Sequence, residues 1–249
     1  MNRQNILITG ASSGLGYTMA KLYANKGKNL ALCARRIEKL KTLRDDIATI
    51  NPKVKVSIRA LDVNEHDQVF EVFKDFEQDL GHIDRVIVNA GMGRGASLGT
   101  GYFSANKETA ITNFVSALAQ CEAALEIFRK QNHGHLVMIS SVSAVRGFRR
   151  ALTVYAATKA AVSNMMEGIR VDLLDSEIRA TTIHPGFIRS EINEKVKTVP
   201  FIVDTEVGCK AIITAIEKEG ASYYVPSWPW AIMARVVKLL PLRLLKRMS

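Results

Sequence analysis

Cysteine is scarce in this 249-residue chain. The three present, Cys33, Cys121 and Cys209, are odd in number, far apart and without metal-ligand spacing. That excludes a disulfide framework and predicts reduced thiols without a chemical role, in a cytosolic protein. Long apolar runs are also missing. After the polar start Met1-Asn2-Arg3-Gln4-Asn5 only three apolar residues, Ile6 to Ile8, precede Thr9-Gly10, too few for a signal-peptide core, so secretion is not expected. The aliphatic run Ala231–Leu240 is interrupted by Arg235 and Lys238 and falls well short of the ~20 apolar residues a spanning helix needs. Acidic residues are under-represented, 24 against 34 Lys and Arg, for a net charge of +10. Five of those net charges lie in Pro229–Ser249, which contains Arg235, Lys238, Arg243, Lys246 and Arg247 and no Asp or Glu. The body is therefore only mildly basic, and with no recognisable nucleic-acid module the charge does not point to nucleic acid.

What is present in quantity is hydrophobic residues, 47% of the chain and spread along all of it, enough for a sizeable core. Short β-branched runs at Asn5–Thr9, Asn29–Ala34, Lys55–Leu61, Arg85–Asn89, His135–Ser140, Arg179–His184 and Ser222–Val225 predict seven strands. Between them, Leu15–Lys26, Glu38–Ile50, Glu65–Leu80, Lys107–Gln131 and Tyr155–Leu174 have the length and three-to-four-residue apolar spacing of helices. Alternating strands and helices imply right-handed crossovers and a parallel sheet covered on both faces. The expectation is one α/β domain, a doubly wound, Rossmann-type, seven-stranded parallel sheet. No repeat, low-complexity linker or Pro/Gly/Ser-rich boundary divides it. Residues 1–226 then form the dinucleotide-binding and catalytic domain, and 227–249 a basic amphipathic tail.

Between the first strand and the first helix stand Gly10, Ser12, Ser13, Gly14, Leu15 and Gly16, a turn with three glycines. Its spacing is not Gly-x-Gly-x-x-Gly. Glycines at such a turn still let backbone approach a pyrophosphate and free the N–H groups of the helix start to receive its charge. The same turn could also be mere connection. At the end of the second strand, where a carboxylate would bind the ribose hydroxyls of NAD, the chain has Arg35 and Arg36. Two guanidinium groups there favour NADP(H) over NAD(H), through charge and bidentate contact with a 2′-phosphate, Arg35 being the preferred candidate. Either could instead pair with Glu38.

Tyr155 and Lys159 are four apart, on one face of a predicted helix. A free phenol has a pKa near 10, and a nearby ammonium favours the phenolate, which makes tyrosine a usable acid or base at neutral pH. Ser141 follows the strand ending at Ser140, on the sheet's carboxyl edge where such folds bind ligands, and could donate to a substrate oxygen. Ser140 and Ser143 read equally well as strand-end structure.

These motifs occur in the order Thr9–Gly16, Asp62-Val63, Asn89-Ala90-Gly91, Asn113, Ser141, Tyr155-x-x-x-Lys159, and Pro185-Gly186 with Ser190. From about Ile6 to Pro226 the chain thereby resembles the short-chain dehydrogenase/reductase family. The resemblance implies that Tyr155 transfers the hydroxyl proton, that Lys159 lowers its pKa and binds the nicotinamide ribose, and that Ser141 holds the substrate oxygen. It implies a water-mediated proton relay at Asn113, adenine contacts at Asp62 and Val63, and a place near the adenosine ribose for Asn89, followed by Ala90 and Gly91. Past Pro185 and Gly186, Ile188 and Ser190 would hold the nicotinamide carboxamide. Two departures stand out. The interval from Ser141 to Tyr155 is one residue longer than the commonest family spacing, which leaves Ser140 as the alternative, and Ser13 stands where many NADP-dependent members carry a basic residue.

In the family, the segment after Pro-Gly folds over the substrate, here about 187–205, with Ile192, Val196, Val199, Phe201, Ile202 and Val203 apolar. It either meets a hydrophobic substrate or packs the lid onto the body. The tail from Trp228 could close the pocket, pack across a subunit interface, or lie on an anionic membrane. The expected protein is a cytoplasmic homodimer or homotetramer, with peripheral membrane contact open, that interconverts a carbonyl and an alcohol on a hydrophobic small molecule. The competing expectations are a dinucleotide sensor without turnover and a membrane-recruited lipid reductase.

Overall fold

In the computed structural model, which describes residues 3–189 and 201–248, seven strands form one parallel sheet: β1 (Asn5–Thr9), β2 (Asn29–Ala34), β3 (Val56–Ala60), β4 (Arg85–Val88), β5 (Gly134–Ile139), β6 (Ile178–Pro185) and β7 (Ser222–Val225). Their spatial order is β3-β2-β1-β4-β5-β6-β7. Chain order reverses between β1, paired with β2 from Asn5↔Asn29 to Thr9↔Cys33, and β4, paired with β1 from Ile6↔Arg85 to Ile8↔Ile87. A doubly wound sheet opens a ligand crevice at that reversal, beyond the carboxyl ends of its strands.

The central strands read as continuous apolar runs because both sheet faces are buried. Ile6, Ile8, Leu30, Leu32, Ile87, Val137 and Ile183 point to one face. There they pack under α1 (Gly14–Asn25), α2 (Ile37–Ile50) and α7 (Thr205–Ile216). Leu7, Ala31, Val86, Val88, Leu136 and Met138 point to the other. That face is covered by α3 (His66–Leu80), α5 (Ser116–Gln131) and α6 (Leu152–Asp172).

The helix expected over Lys107–Gln131 is interrupted. It starts earlier, as α4 (Phe103–Ala110), and passes through a π-helical turn at Ile111–Val115 before α5. The extra residue of a π turn rotates the side chains within it off the helix stripe, and Asn113 sits inside this one. The tail is two helices, α8 (Ser227–Leu239) and α9 (Leu242–Met248), separated at Leu240-Pro241. Trp230, Ala234 and Leu245 are buried against the body, and Arg146 Nη1 donates to the Val237 and Lys238 carbonyls at 3.1 and 2.9 Å. All three cysteines are buried and unpaired, and burial pushes each thiol up to about 12, so none is a usable nucleophile.

Candidate active site

The glycine turn needs glycine at two points. Gly10 has φ +65°, and a β-carbon there would lie 2.9 Å from Ala90 Cα. One on Gly16 would lie 2.5 Å from the Gly10 carbonyl oxygen and 2.7 Å from Asn89 Nδ2. The turn is thus pressed onto the loop after β4, and Thr9 and Asn89 hold it there. The Thr9 hydroxyl accepts from the backbone N–H groups of Asn89 and Ala90, both at 3.0 Å. Asn89 Nδ2 donates back to the Thr9 carbonyl at 2.9 Å. Asn89, expected beside a ribose, therefore has its amide nitrogen committed to the turn.

At the N-cap of α1 the Ser13 side chain makes no capping hydrogen bond. The N–H groups of the first turn keep their donor capacity toward the crevice. Ser13 Oγ instead accepts from Arg36 Nη2 at 2.6 Å, and Ser12 Oγ from Arg36 Nε at 3.2 Å. Arg35, the candidate preferred on sequence, points elsewhere, 3.9 Å from Asp62. Asp62 also accepts from the Asn64 N–H at 3.1 Å, and Val63 is buried in the core. A bare turn, a helix start and a guanidinium over two serines suit a pyrophosphate carrying a further phosphate.

On the other side of the crevice, α6 presents Tyr155 and Lys159. The helix begins at Leu152, three residues before the sequence expectation, so both lie within regular helix. Burial pushes the Tyr155 phenol up, and the neighbouring Ser141 side chain pulls it part of the way back. Lys159 Nζ stands 5.9 Å from the centre of the Tyr155 ring and donates to the Ile139 carbonyl at 2.9 Å. Burial lowers its ammonium to about 8. The sequence reading has Lys159 favour the phenolate; in this arrangement Ser141 also draws the phenol down.

Ser140 and Ser141 part company at the strand end. Ser140 Oγ turns back to α6, donating to the Lys159 carbonyl at 3.0 Å and meeting Ser163 Oγ at 2.8 Å. The Ser140 hydroxyl is thereby committed to α6. Ser141 Oγ accepts from the Ser143 N–H at 3.1 Å and the Ser143 hydroxyl at 2.9 Å, which leaves its own proton for the phenol side. Ser143, read from sequence as strand-end structure, thus orients Ser141. His184 Nδ1 lies 3.2 Å from the Ser141 carbonyl oxygen and is the donor there. Nothing in the sequence pattern marks His184 for this.

The side chain of Asn113, expected to support a relay through water, is held by the loop after β4 and by α6. Its Oδ1 accepts from the Met92 N–H at 2.8 Å and its Nδ2 donates to the Met92 carbonyl at 2.9 Å and to Thr158 Oγ1 at 3.3 Å. It clamps the loop after Gly91 to α6. Gly91 is hemmed in by the same group, since a β-carbon there would lie 3.2 Å from Asn113 Oδ1 and 3.5 Å from Lys159 Nζ.

The family model for short chain dehydrogenases matches residues 4–199. The chain belongs to the short-chain dehydrogenase family. As a member it is an oxidoreductase acting on CH–OH and C=O groups. An uncharacterized oxidoreductase of Mycobacterium tuberculosis is 46% identical over 249 residues, spanning 100% of this chain and 98% of its own. One from Myxococcus xanthus is 32% identical over 97% of this chain and 94% of its own. Among solved structures the family fold recurs in levodione reductase, with a TM-score of 0.81 at 22% identity over 92% of this chain and 98% of that one. It recurs in the NADPH-dependent 3-quinuclidinone reductase of Rhodotorula rubra, with a TM-score of 0.81 at 24% identity over 89% of each chain.

At the far end of the crevice, β6 closes with Pro185, and the Gly186 N–H donates to the Val225 carbonyl at 2.8 Å. The Trp230 indole lies so close over Gly186 that a β-carbon there would collide with it. Phe187 and Phe201 meet that indole edge-on, with centroids at 5.4 and 6.3 Å. The indole N–H is buried and, among the described residues, has no hydrogen-bond partner. Ile188 turns its side chain into the core and its backbone pairs with Val203. Ser190, the expected carboxamide contact, and Ile192, Val196 and Val199 of the lid lie outside the described residues.

Proposed function

We propose that this protein interconverts a carbonyl and an alcohol on a hydrophobic small molecule, with NADP(H) as hydride carrier and Tyr155 as the general acid and base. The observation that carries the reading is the half-buried Tyr155 phenol, with Ser141 beside it and Lys159 one helical turn away. In reduction, the phenol would donate its proton to a substrate oxygen held by Ser141, and in oxidation take it back; NADP(H) bound in the crevice would supply or accept the hydride at the substrate carbon. Lys159, when charged, compensates the phenolate left behind and offers its ammonium to the nicotinamide ribose. The glycine turn with the start of α1 would hold the pyrophosphate, and the loop from Asn89 to Gly91, Asp62 and Val63 would border the adenosine. Pro185, Gly186, Ile188 and Ser190 would border the nicotinamide.

The aromatic cluster of Phe187, Phe201 and Trp230 supports a hydrophobic substrate, because it lines the substrate end of the crevice with apolar rings. NADPH oxidation measured against carbonyl compounds graded from short aldehydes to long-chain keto lipids and steroid ketones tests this. Turnover is expected to rise with substrate hydrophobicity; turnover confined to small polar carbonyls would overturn the substrate class. A homodimer or homotetramer has a face available on α4 to α6. There a cavity of about 490 Å³ is lined by Leu98, Ile111, Phe114, Val154 and Ala157.

Arg36 is the stronger candidate for reading a 2′-phosphate, since it already stands over Ser12 and Ser13. Arg36→Ala is expected to weaken NADPH binding on the order of 10-fold or more, as loss of a charge-assisted contact worth about 1.5–3 kcal/mol requires, and to leave NADH binding unchanged. Equal losses for the two dinucleotides in fluorescence titrations would remove Arg36 from cofactor selection.

A further inference from the structure

We propose that the outer face of α8 and α9 docks this protein onto an anionic phospholipid bilayer. The tail has two apolar faces where a packed surface helix needs one. Trp230 and Ala234 face inward and are buried, and Val237 on the same side of the helix is half-buried. Ile232, Val236 and Leu239, four and three residues apart, share the opposite face and are exposed, Leu239 to 84%. Trp228, at the non-helical start of α8, and Leu242, at the start of α9, are each 73% exposed and add apolar surface at the two ends of α8. Large apolar side chains held in water in this concentration mark an interaction surface.

The charges around that face say what covers it. Arg235, Lys238, Arg243, Lys246 and Arg247 flank it, and from Ser227 to Ser249 there is no acidic residue. Among the described residues none of the five is in an ion pair, whereas Arg3, Arg59, Arg85 and Arg189 elsewhere are all matched to carboxylates. A second copy is a poor partner, because a twofold contact sets the same patch against itself and brings like charges together. An anionic bilayer complements both features: phosphate and serine headgroups meet the cations, and the indole and aliphatic side chains enter the headgroup boundary with the helix lying in the plane. The two helices cannot cross it, since no helix among the described residues is long and apolar enough.

The full-length protein, incubated with phosphatidylcholine vesicles with and without phosphatidylserine and then sedimented, tests this. Binding is expected to be on the order of 10-fold or more higher on the anionic vesicles and to fall as salt is raised, as several cations near a charged surface require. The combined variant Ile232→Ser, Val236→Ser, Leu239→Ser and Leu242→Ser should lose vesicle binding, and so should Arg243→Gln with Lys246→Gln and Arg247→Gln. Native near-ultraviolet circular dichroism in both variants separates loss of the surface from loss of the fold. Equal sedimentation with neutral and anionic vesicles, or none with either at low salt, overturns the proposal. So does a sedimentation-velocity dimer that the serine variant dissolves while vesicle binding is unaffected.

Discussion

Tyr155→Phe is expected to lower kcat/KM for carbonyl reduction about a thousandfold, within the range that loss of a positioned general acid produces, while dinucleotide binding is retained. The substitution deletes one oxygen. Ser141 still has the Ser143 N–H and hydroxyl to hold it, and Lys159 still has the Ile139 carbonyl. The packing and the glycine turn are untouched, so the loss is confined to proton transfer. At ~1.36 kcal/mol per factor of ten, the expected fall corresponds to about 4 kcal/mol of transition-state stabilisation. Steady-state rates, with dinucleotide fluorescence as the binding control, read both halves. A loss of tenfold or less would place the proton donor elsewhere, Ser141 being the nearest hydroxyl. Loss of dinucleotide binding would show that the phenol serves the fold of the crevice instead.

The second large effect lies at the opposite edge of the sheet, where the strands begin. Arg85, at the start of β4, is fully buried. Its guanidinium donates to Glu217 at 2.7 Å, to Glu219 at 3.2 Å and to His135 Nδ1 at 2.9 Å. Arg3 adds a two-pronged contact with Glu219, at 2.8 and 3.0 Å. Because His135 Nδ1 accepts, its proton sits on Nε2, facing Thr181 Oγ1 at 2.8 Å, and the ring is neutral. Burial and the Arg85 charge hold His135 down to about 3. Burial alone would raise Glu219, but the Arg3 hydrogen bonds, with the charges of Arg3 and Arg85 and of His135 once it protonates near pH 3, hold it at about 2.

Among the described residues, Glu219→Gln leaves the buried Arg3 without a carboxylate and Arg85 with Glu217 alone, and is expected to cost about 3 kcal/mol at pH 7 in urea unfolding. The sign with pH follows from the depressed carboxyl. The ionised pair stabilises the native state above the unfolded carboxyl's range and stops doing so as pH falls through about 2. The gap between wild type and variant should therefore close between about pH 4.5 and 2. His135 gives both proteins a separate acid limb, since the unfolded chain takes up its proton from about pH 6.5 downward and the native one only near 3. A gap independent of pH would mean that the substitution disturbs packing and that the ion pair contributes nothing.

The strands were the most legible part of this chain. The bounds expected for β1, β2 and β7 coincide with those found, and the other four differ by a residue or two at their ends. A parallel strand buried on both faces has to be an uninterrupted apolar run, and short runs between helix-length segments have few other readings. The π turn was not legible, because no residue type at Ile111–Val115 announces it; the backbone leaves the helical register there while Asn113 clamps Met92. Spacing set Tyr155 and Lys159 on one helix face and put the glycine turn between β1 and α1, but their chemical roles came from the family resemblance. The choice between Ser140 and Ser141, and between Arg35 and Arg36, was not legible. Neighbouring residues at a strand end point in opposite directions, and which one meets the crevice depends on partners brought by α6 and by the glycine turn. Trp230 and His184 reach the site from the tail and from the interior of β6, and no local pattern ties either to it.

The Thr9 hydroxyl has one more partner, the Ile87 carbonyl at 3.5 Å, beside the two N–H groups it accepts. One small side chain thereby fastens the exit of β1 to the exit of β4, and Asn89 repeats the fastening from the other side. The floor of the crevice becomes a single stiff piece whose freedom was surrendered when the sheet formed. A ligand that settles on it has little chain to order, so its affinity depends on the groups that touch it and not on the entropy of closing a loop.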